Sequence, residues 1–242
     1  MMNNYDLILF FTIYSFLGWI IETIFASINE KKIINRGFLT GPFCPIYGFG
    51  AVLVIRCSEW TNTICTNYFM YLTISVLFSI FLVTILEYIT GFFLEKIFNC
   101  KWWDYSDNMW NCNGYICIKY SLLWGILAFM LVHTIHPVIS QVIFSIPTSI
   151  KTYMEIFILL YFIGDTAKSV ISTLDLRKVI MNYSNFSVNK YCEKIIKYNR
   201  FFYAFPRLLI LNSGIINRDV RRILNERFYK IKTELKNRFQ NL

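Results

Sequence analysis

The chain has 242 residues, of which 56% are hydrophobic, 19% aromatic and only 16% charged, against roughly 25% charged in soluble domains. One soluble core cannot hide that much apolar surface, so a water-soluble globular protein is excluded and a polytopic membrane protein is left. The net charge of +9 is confined to one end: residues 1–174 carry nine Lys/Arg and ten Asp/Glu, and residues 175–242 carry fifteen and five. The expected division is therefore a membrane-helix domain over 1–174 and a basic tail over 175–242.

A bilayer core of about 30 Å takes about 20 apolar residues in a helix. Tyr5–Ile28 is such a run, interrupted by Glu22. It lacks a basic start and a small-residue cleavage site, so it reads as a retained helix rather than a removable signal. Phe43–Ile55 is a shorter run ended by Arg56. Helical from Thr40 to Ser58, it reaches about 27 Å; otherwise it is re-entrant. Tyr68–Phe98 follows with Glu87 near its end, then Tyr115–Ile139 with His133, His136 and Pro137, then Ile150–Leu174 with Glu155, Asp165 and Lys168. His136-Pro137 predicts a kink or helix end. The fold expected is all-α: a transmembrane bundle of about five helices with a basic helical tail.

Lys and Arg in the loops set orientation. The tail, the segment with Lys31, Lys32 and Arg36, and the segment flanked by Lys96, Lys101 and Lys119 all fall on one side in a five-helix chain, leaving Arg56 and Lys151 for the other. The expectation is a multi-pass cell-membrane protein with its N-terminus outside and its C-terminus in the cytoplasm. In the tail, Val220, Ile223, Leu224, Phe228, Ile231, Leu235 and Phe239 recur at spacings of three and four among Lys and Arg. That is a basic amphipathic helix, suited to anionic headgroups, to the protein's own loops or to a partner. Nucleic acid is not expected as a partner.

Asn35–Gly50, NRGFLTGPFCPIYGFG, holds four glycines and two prolines in sixteen residues. Both residue types break helices, and irregular backbone at membrane depth persists only where protein or enclosed water covers it. The segment is therefore expected to shape a functional surface beside or inside the membrane.

Glu22, Glu87 and Asp165 each interrupt an apolar helix, where a charge costs roughly 2.5–3.5 kcal/mol on insertion scales. Each lies roughly 10–15 Å from the same helix end at 1.5 Å per residue. Arg36 can reach Glu22 or Glu87, and Lys168 can pair with Asp165 three residues away. Two readings stay open: an acidic cavity for a cation, a proton or a cationic group, or a set of polar contacts that join helices. Trp102-Trp103-Asp104-Tyr105-Ser106 is an interfacial aromatic belt or an aromatic platform with an acid beside it. The cavity candidates are Glu22, Arg36, Tyr47, Glu87, Trp102, Trp103, Asp104 and Asp165.

No catalytic residue, metal site or cofactor is assigned. The chain has no GxxxxGK[ST], HExxH or GxSxG sequence, so it carries no ATPase phosphate loop of its own and no familiar hydrolase arrangement. Its seven cysteines include no CxxC pair, which argues against zinc. A Cys57–Cys65 disulfide stays possible in an oxidising compartment.

Gly18-Trp19 with Glu22, then Asn35-Arg36-Gly37-Phe38-Leu39, Gly41-Pro42-Phe43-Cys44-Pro45-Ile46-Tyr47-Gly48, Glu87-Tyr88, Gly91, Leu94-Glu95 and Trp102-Trp103-Asp104-Tyr105-Ser106 form one ordered series. Over roughly residues 5–175 the series resembles the Putative ABC-transporter type IV family of bacterial membrane proteins, the CmpB-type permeases. The resemblance implies a permease or transport component working with a separate ATPase subunit. A membrane scaffold or regulator acting through its tail, and an intramembrane enzyme with a lipid-like substrate, are the alternatives.

Overall fold

A computed structural model describes residues 4–31, 33–181, 197–205 and 208–210. The chain is an all-α polytopic bundle. Helix α1 spans Asn4–Glu30, α2 Pro45–Ile64 and α3 Tyr68–Phe98. A two-residue strand β1 (Cys100–Lys101) and a small antiparallel pair, β2 (Asn111–Cys112) with β3 (Ile116–Cys117), fill the next connection. Then come α4 (Ile118–Met130), a π-helical turn (Leu131–Ile135), α5 (His136–Ser145) and α6 (Thr148–Met181). A short helix α7 (Asn199–Ala204) and strand β4 (Leu209–Ile210) return to the bundle, where Cys100 pairs with Ile210 and Lys101 with Leu209.

Among the described residues four stretches are long and apolar enough to cross a membrane: Tyr5–Ile28, Tyr68–Phe98, Ile118–Ser145 and Thr148–Val179. The expected five becomes these four plus α2, which contains Arg56 and Glu59 and is less apolar. The start of α2 also differs from expectation. Cys44 is extended and Pro45 occupies the first turn, where its missing N–H is no loss. The helix therefore begins five residues after Thr40 and runs six beyond Ser58. It is continuous and antiparallel to α1: an added Cβ on Gly18 or Gly48 would meet Tyr47 or Ser15, while Ile55 packs with Leu9 and Phe10. The backbone of α2 thus starts about midway along α1 and leaves past its beginning.

Helix α3 shows why this bundle suits lipid. Its buried positions are Ser75, Ser79, Glu87, Gly91 and Phe98, whereas Leu77, Phe78, Phe81, Phe92 and Phe93 are exposed. Small and polar residues face the protein and let helices approach; large apolar ones face outward. In the fourth run Pro137 produces no break. Its ring crowds the carbonyl four residues back, and the wider π turn that ends at Ile135 absorbs the conflict.

Two clusters close the ends of the bundle. At one end Leu9, Phe10, Tyr14, Ile55 and Ile143 pack together, beside a buried ion pair between Lys151 Nζ and Asp6 Oδ1 at 2.6 Å. At the other, Phe98, Trp102, Leu176, Phe201 and Leu208 form a second core. Helix α6 passes through the 174/175 boundary without a break, and Leu176 lies in that core. The amphipathic pattern over Val220–Phe239 lies outside the described residues. Cys57 and Cys65 are both free thiols, about 12 Å apart along α2 by helical rise, too far for a bridge.

Candidate functional site

Asn35–Cys44 is a non-helical segment folded back along α1, and its backbone polar groups can be followed one by one. The Asn35 side chain closes the turn. Its Oδ1 accepts from Trp19 Nε1 at 2.8 Å and from the Gly37 N–H at 3.0 Å, and its Nδ2 donates to Thr40 O at 2.9 Å. Asp165 accepts from the next two donors, the Thr40 N–H at 3.0 Å and the Gly41 N–H at 2.9 Å. Arg200 donates to the carbonyls of Gly37 at 2.8 Å, Phe38 at 3.0 Å and Leu39. Cys44 N–H donates to Ser15 O at 2.9 Å. An anion on the donors and a cation on the acceptors supply what a helix would supply for itself. Burial depresses the Arg200 guanidinium from its ordinary value, and Asp165 opposes the shift. Gly41 packs closely here: a Cβ would fall 1.8 Å from the Tyr161 hydroxyl, so any side chain must push Tyr161 aside.

Asp165 is thereby spent on backbone rather than on Lys168, and it does not join the other two acids. Glu22 and Glu87 form the candidate site. Tyr47 Oη donates to Glu22 Oε1 at 2.6 Å, and Arg36 Nε lies 3.1 Å from Glu22 Oε2. Glu87, 4% exposed, accepts from Tyr105 Oη at 3.2 Å and from Trp124 Nε1 at 3.0 Å. The Tyr47 and Trp124 rings meet edge-on with centroids 5.3 Å apart, which links the two acids through a pair of aromatics. Arg36 neutralises Glu22; the donors on Glu87 are neutral.

Beside these groups lies a cavity of about 110 Å³. Glu87, Tyr47 and Trp124 make its polar corner, and Leu17, Val54 and Leu127 are among its apolar walls. Backbone packing opens this space: Gly18 and Gly50 line it on α1 and α2, and Ala128 on α4.

Trp102 is 3% exposed and sits in the second core, ringed by Phe38, Phe98, Phe201 and Phe205. Trp103 covers Gly91 and donates to Tyr115 O at 2.8 Å. Asp104 accepts from the Ser106 N–H and hydroxyl in a tight turn and lies 3.8 Å from Lys101. These three shape the loop; its Tyr105 is the residue that reaches Glu87. Burial, reinforced by the Glu87 carboxylate, pushes the Tyr105 phenol well up, so it stays protonated near neutral pH. Sequence reading missed Tyr105, Trp124 and Arg200. Tyr105 stood inside the quoted motif, whereas nothing in the sequence marked Trp124 or Arg200.

No curated protein and no solved structure matches the chain. A family match covers residues 9–170, more than half of the chain, and takes in most of α1, the clamped segment, Glu22, Glu87 and Asp165. With its multi-pass helical architecture and that match, the chain belongs to the family described as Putative ABC-transporter type IV.

Proposed function

We propose that this membrane protein is a transport component that works with a separate ATPase subunit and takes its cargo in the cavity at Glu87. The observation that carries this reading is a nearly inaccessible carboxylate, 4% exposed, on the wall of an otherwise apolar cavity and held only by neutral donors. An ionisable group buried without an ionic partner is costly in a membrane, and such residues mark functional sites. The chain has no phosphate-binding loop, so energy from ATP has to come from a partner.

The density of Lys and Arg supports a cytoplasmic position for the end with Arg36, Lys101 and the tail. The tail then lies where anionic headgroups attract it. Of the described connections at that end, Asn35–Cys44 is occupied with contacts inside the bundle. Met109 and Trp110, each 79% exposed, stand free on the other, and an exposed Trp is a common anchor in interfaces. Mild-detergent purification of the full chain from its native membranes is expected to bring down an ATPase subunit, and Trp110→Asp to reduce its recovery at least tenfold. A wild-type preparation without any ATPase subunit contradicts the reading; full recovery with Trp110→Asp moves the contact elsewhere.

A further inference from the structure

Tyr47, Glu87 and Trp124 bring two aromatic rings and one carboxylate to a single corner of the cavity. The rest of the lining is apolar apart from the Tyr14 hydroxyl, which is engaged with His136 Nδ1 at 2.8 Å. Among the described residues no Lys or Arg lines it. Each carboxylate oxygen of Glu87 accepts one hydrogen bond and keeps a second acceptor position. The Glu87 carboxylate thus makes the corner electronegative, and the π systems of Tyr47 and Trp124, set edge to face, lie beside it. Aromatic faces attract cations by about 0.5–2 kcal/mol each, and quaternary ammonium groups are the cations such cages select.

Size limits the occupant. A cavity of about 150 Å³ takes one benzene; this one, at about 110 Å³, has room for a compact group of a few heavy atoms. Helix α1 is tied to α5 by the Tyr14–His136 contact, and nearer the Glu87 end Ile21, 50% exposed, forms the rim. A π turn, a feature frequent at functional sites, contributes Leu131 and Ile135 to the far wall.

We infer that this corner binds a small quaternary ammonium group, as a free cation or as the headgroup of a lipid. The carboxylate of Glu87 supplies the countercharge, Tyr47 and Trp124 the aromatic faces, and the apolar wall takes the methyl groups. The inference deepens the transport reading by naming a cargo class, and it rests on that reading only for the claim that the bound group moves.

The test uses the full chain in phosphatidylglycerol nanodiscs, with choline and its uncharged isostere 3,3-dimethylbutanol as probes. Choline is expected to bind at least tenfold more tightly than the alcohol. Glu87→Gln is expected to remove that preference, and Ala128→Phe, which fills the cavity and leaves Glu87 in place, to weaken choline at least tenfold. Nanodiscs of phosphatidylcholine separate the sources: weaker choline binding there assigns the headgroup, and unchanged binding assigns the free cation. Equal binding of choline and the alcohol by the wild type overturns the inference whatever the variants do. Choline binding without flux refutes transport but leaves the site; flux of another solute without choline binding does the reverse.

Discussion

Asp165→Ala is expected to destabilise the protein by about 2–6 kcal/mol. The substitution strips the Thr40 and Gly41 N–H groups of their acceptor in a segment with no helix to fall back on. Each orphaned buried donor costs about 1–3 kcal/mol, and water is least able to compensate within a bilayer. It also leaves the buried guanidinium of Arg200 without the nearby anion that favours its charge. Ser169 Oγ, 3.0 Å from the Thr40 N–H, preserves part of one contact. Asp165→Asn, which keeps one acceptor oxygen and turns the other position into a donor, falls between. Thermal unfolding in detergent should show the order wild type, Asn, Ala. An Ala variant within about 0.5 kcal/mol of wild type would mean that the segment draws its stability from packing alone.

Gly48→Leu is expected to be at least as damaging, for a steric reason. A Cβ on Gly48 would lie 2.2 Å from Ser15 Oγ and 2.6 Å from the carbonyl oxygen of Phe11. A backbone oxygen cannot rotate away, so α1 and α2 must part. Overpacking costs about 1–3 kcal/mol where side chains can yield, and here the obstruction is main chain. Parting the helices also draws Tyr47 from Glu22 and opens the cavity wall. Gly50→Ala is the control: its Cβ would meet only Leu86 at 3.7 Å and Val83 at 3.9 Å, ordinary contacts. Folded yield after detergent extraction should collapse for Gly48→Leu and stay near wild type for Gly50→Ala. Matching yields for the two would contradict the close α1–α2 approach.

Architecture was legible because hydrophobic runs of 24 residues and more have one solution in lipid. Helices α1, α3 and α6 lie where the apolar runs put them. What composition could not fix was α2, whose polar second half belongs to the same helix as its apolar first half. The Gly/Pro stretch was recognisable as irregular backbone at membrane depth. How it is satisfied was not: Asp165 and Arg200 stand 125 and 160 residues from Thr40, and no local spacing announces such pairings.

The acids show the same divide. Each of Glu22, Glu87 and Asp165 was conspicuous as a charge in an apolar run, but their separation into a backbone clamp (Asp165), an ion pair with Arg36 (Glu22) and a cavity-wall carboxylate (Glu87) depends on helix packing. Trp102 and Trp103 read as an interfacial belt or an aromatic platform, and the aromatic pair beside Glu87 is instead Tyr47 and Trp124. Trp102 turned inward because Phe38, Phe98 and Phe201 surround it, and an indole amid apolar residues in a sequence does not reveal which face its neighbours will cover.

The central claim is that Glu87 holds a cargo and does not merely join helices. ATP-driven movement of labelled choline in inside-out membrane vesicles, compared between wild type and Glu87→Gln at matched melting temperature, tests it most directly. The account predicts at least a tenfold loss of ATP-dependent movement with the variant. Equal movement by both proteins would contradict it and leave Glu87 a structural tie between Tyr105 and Trp124.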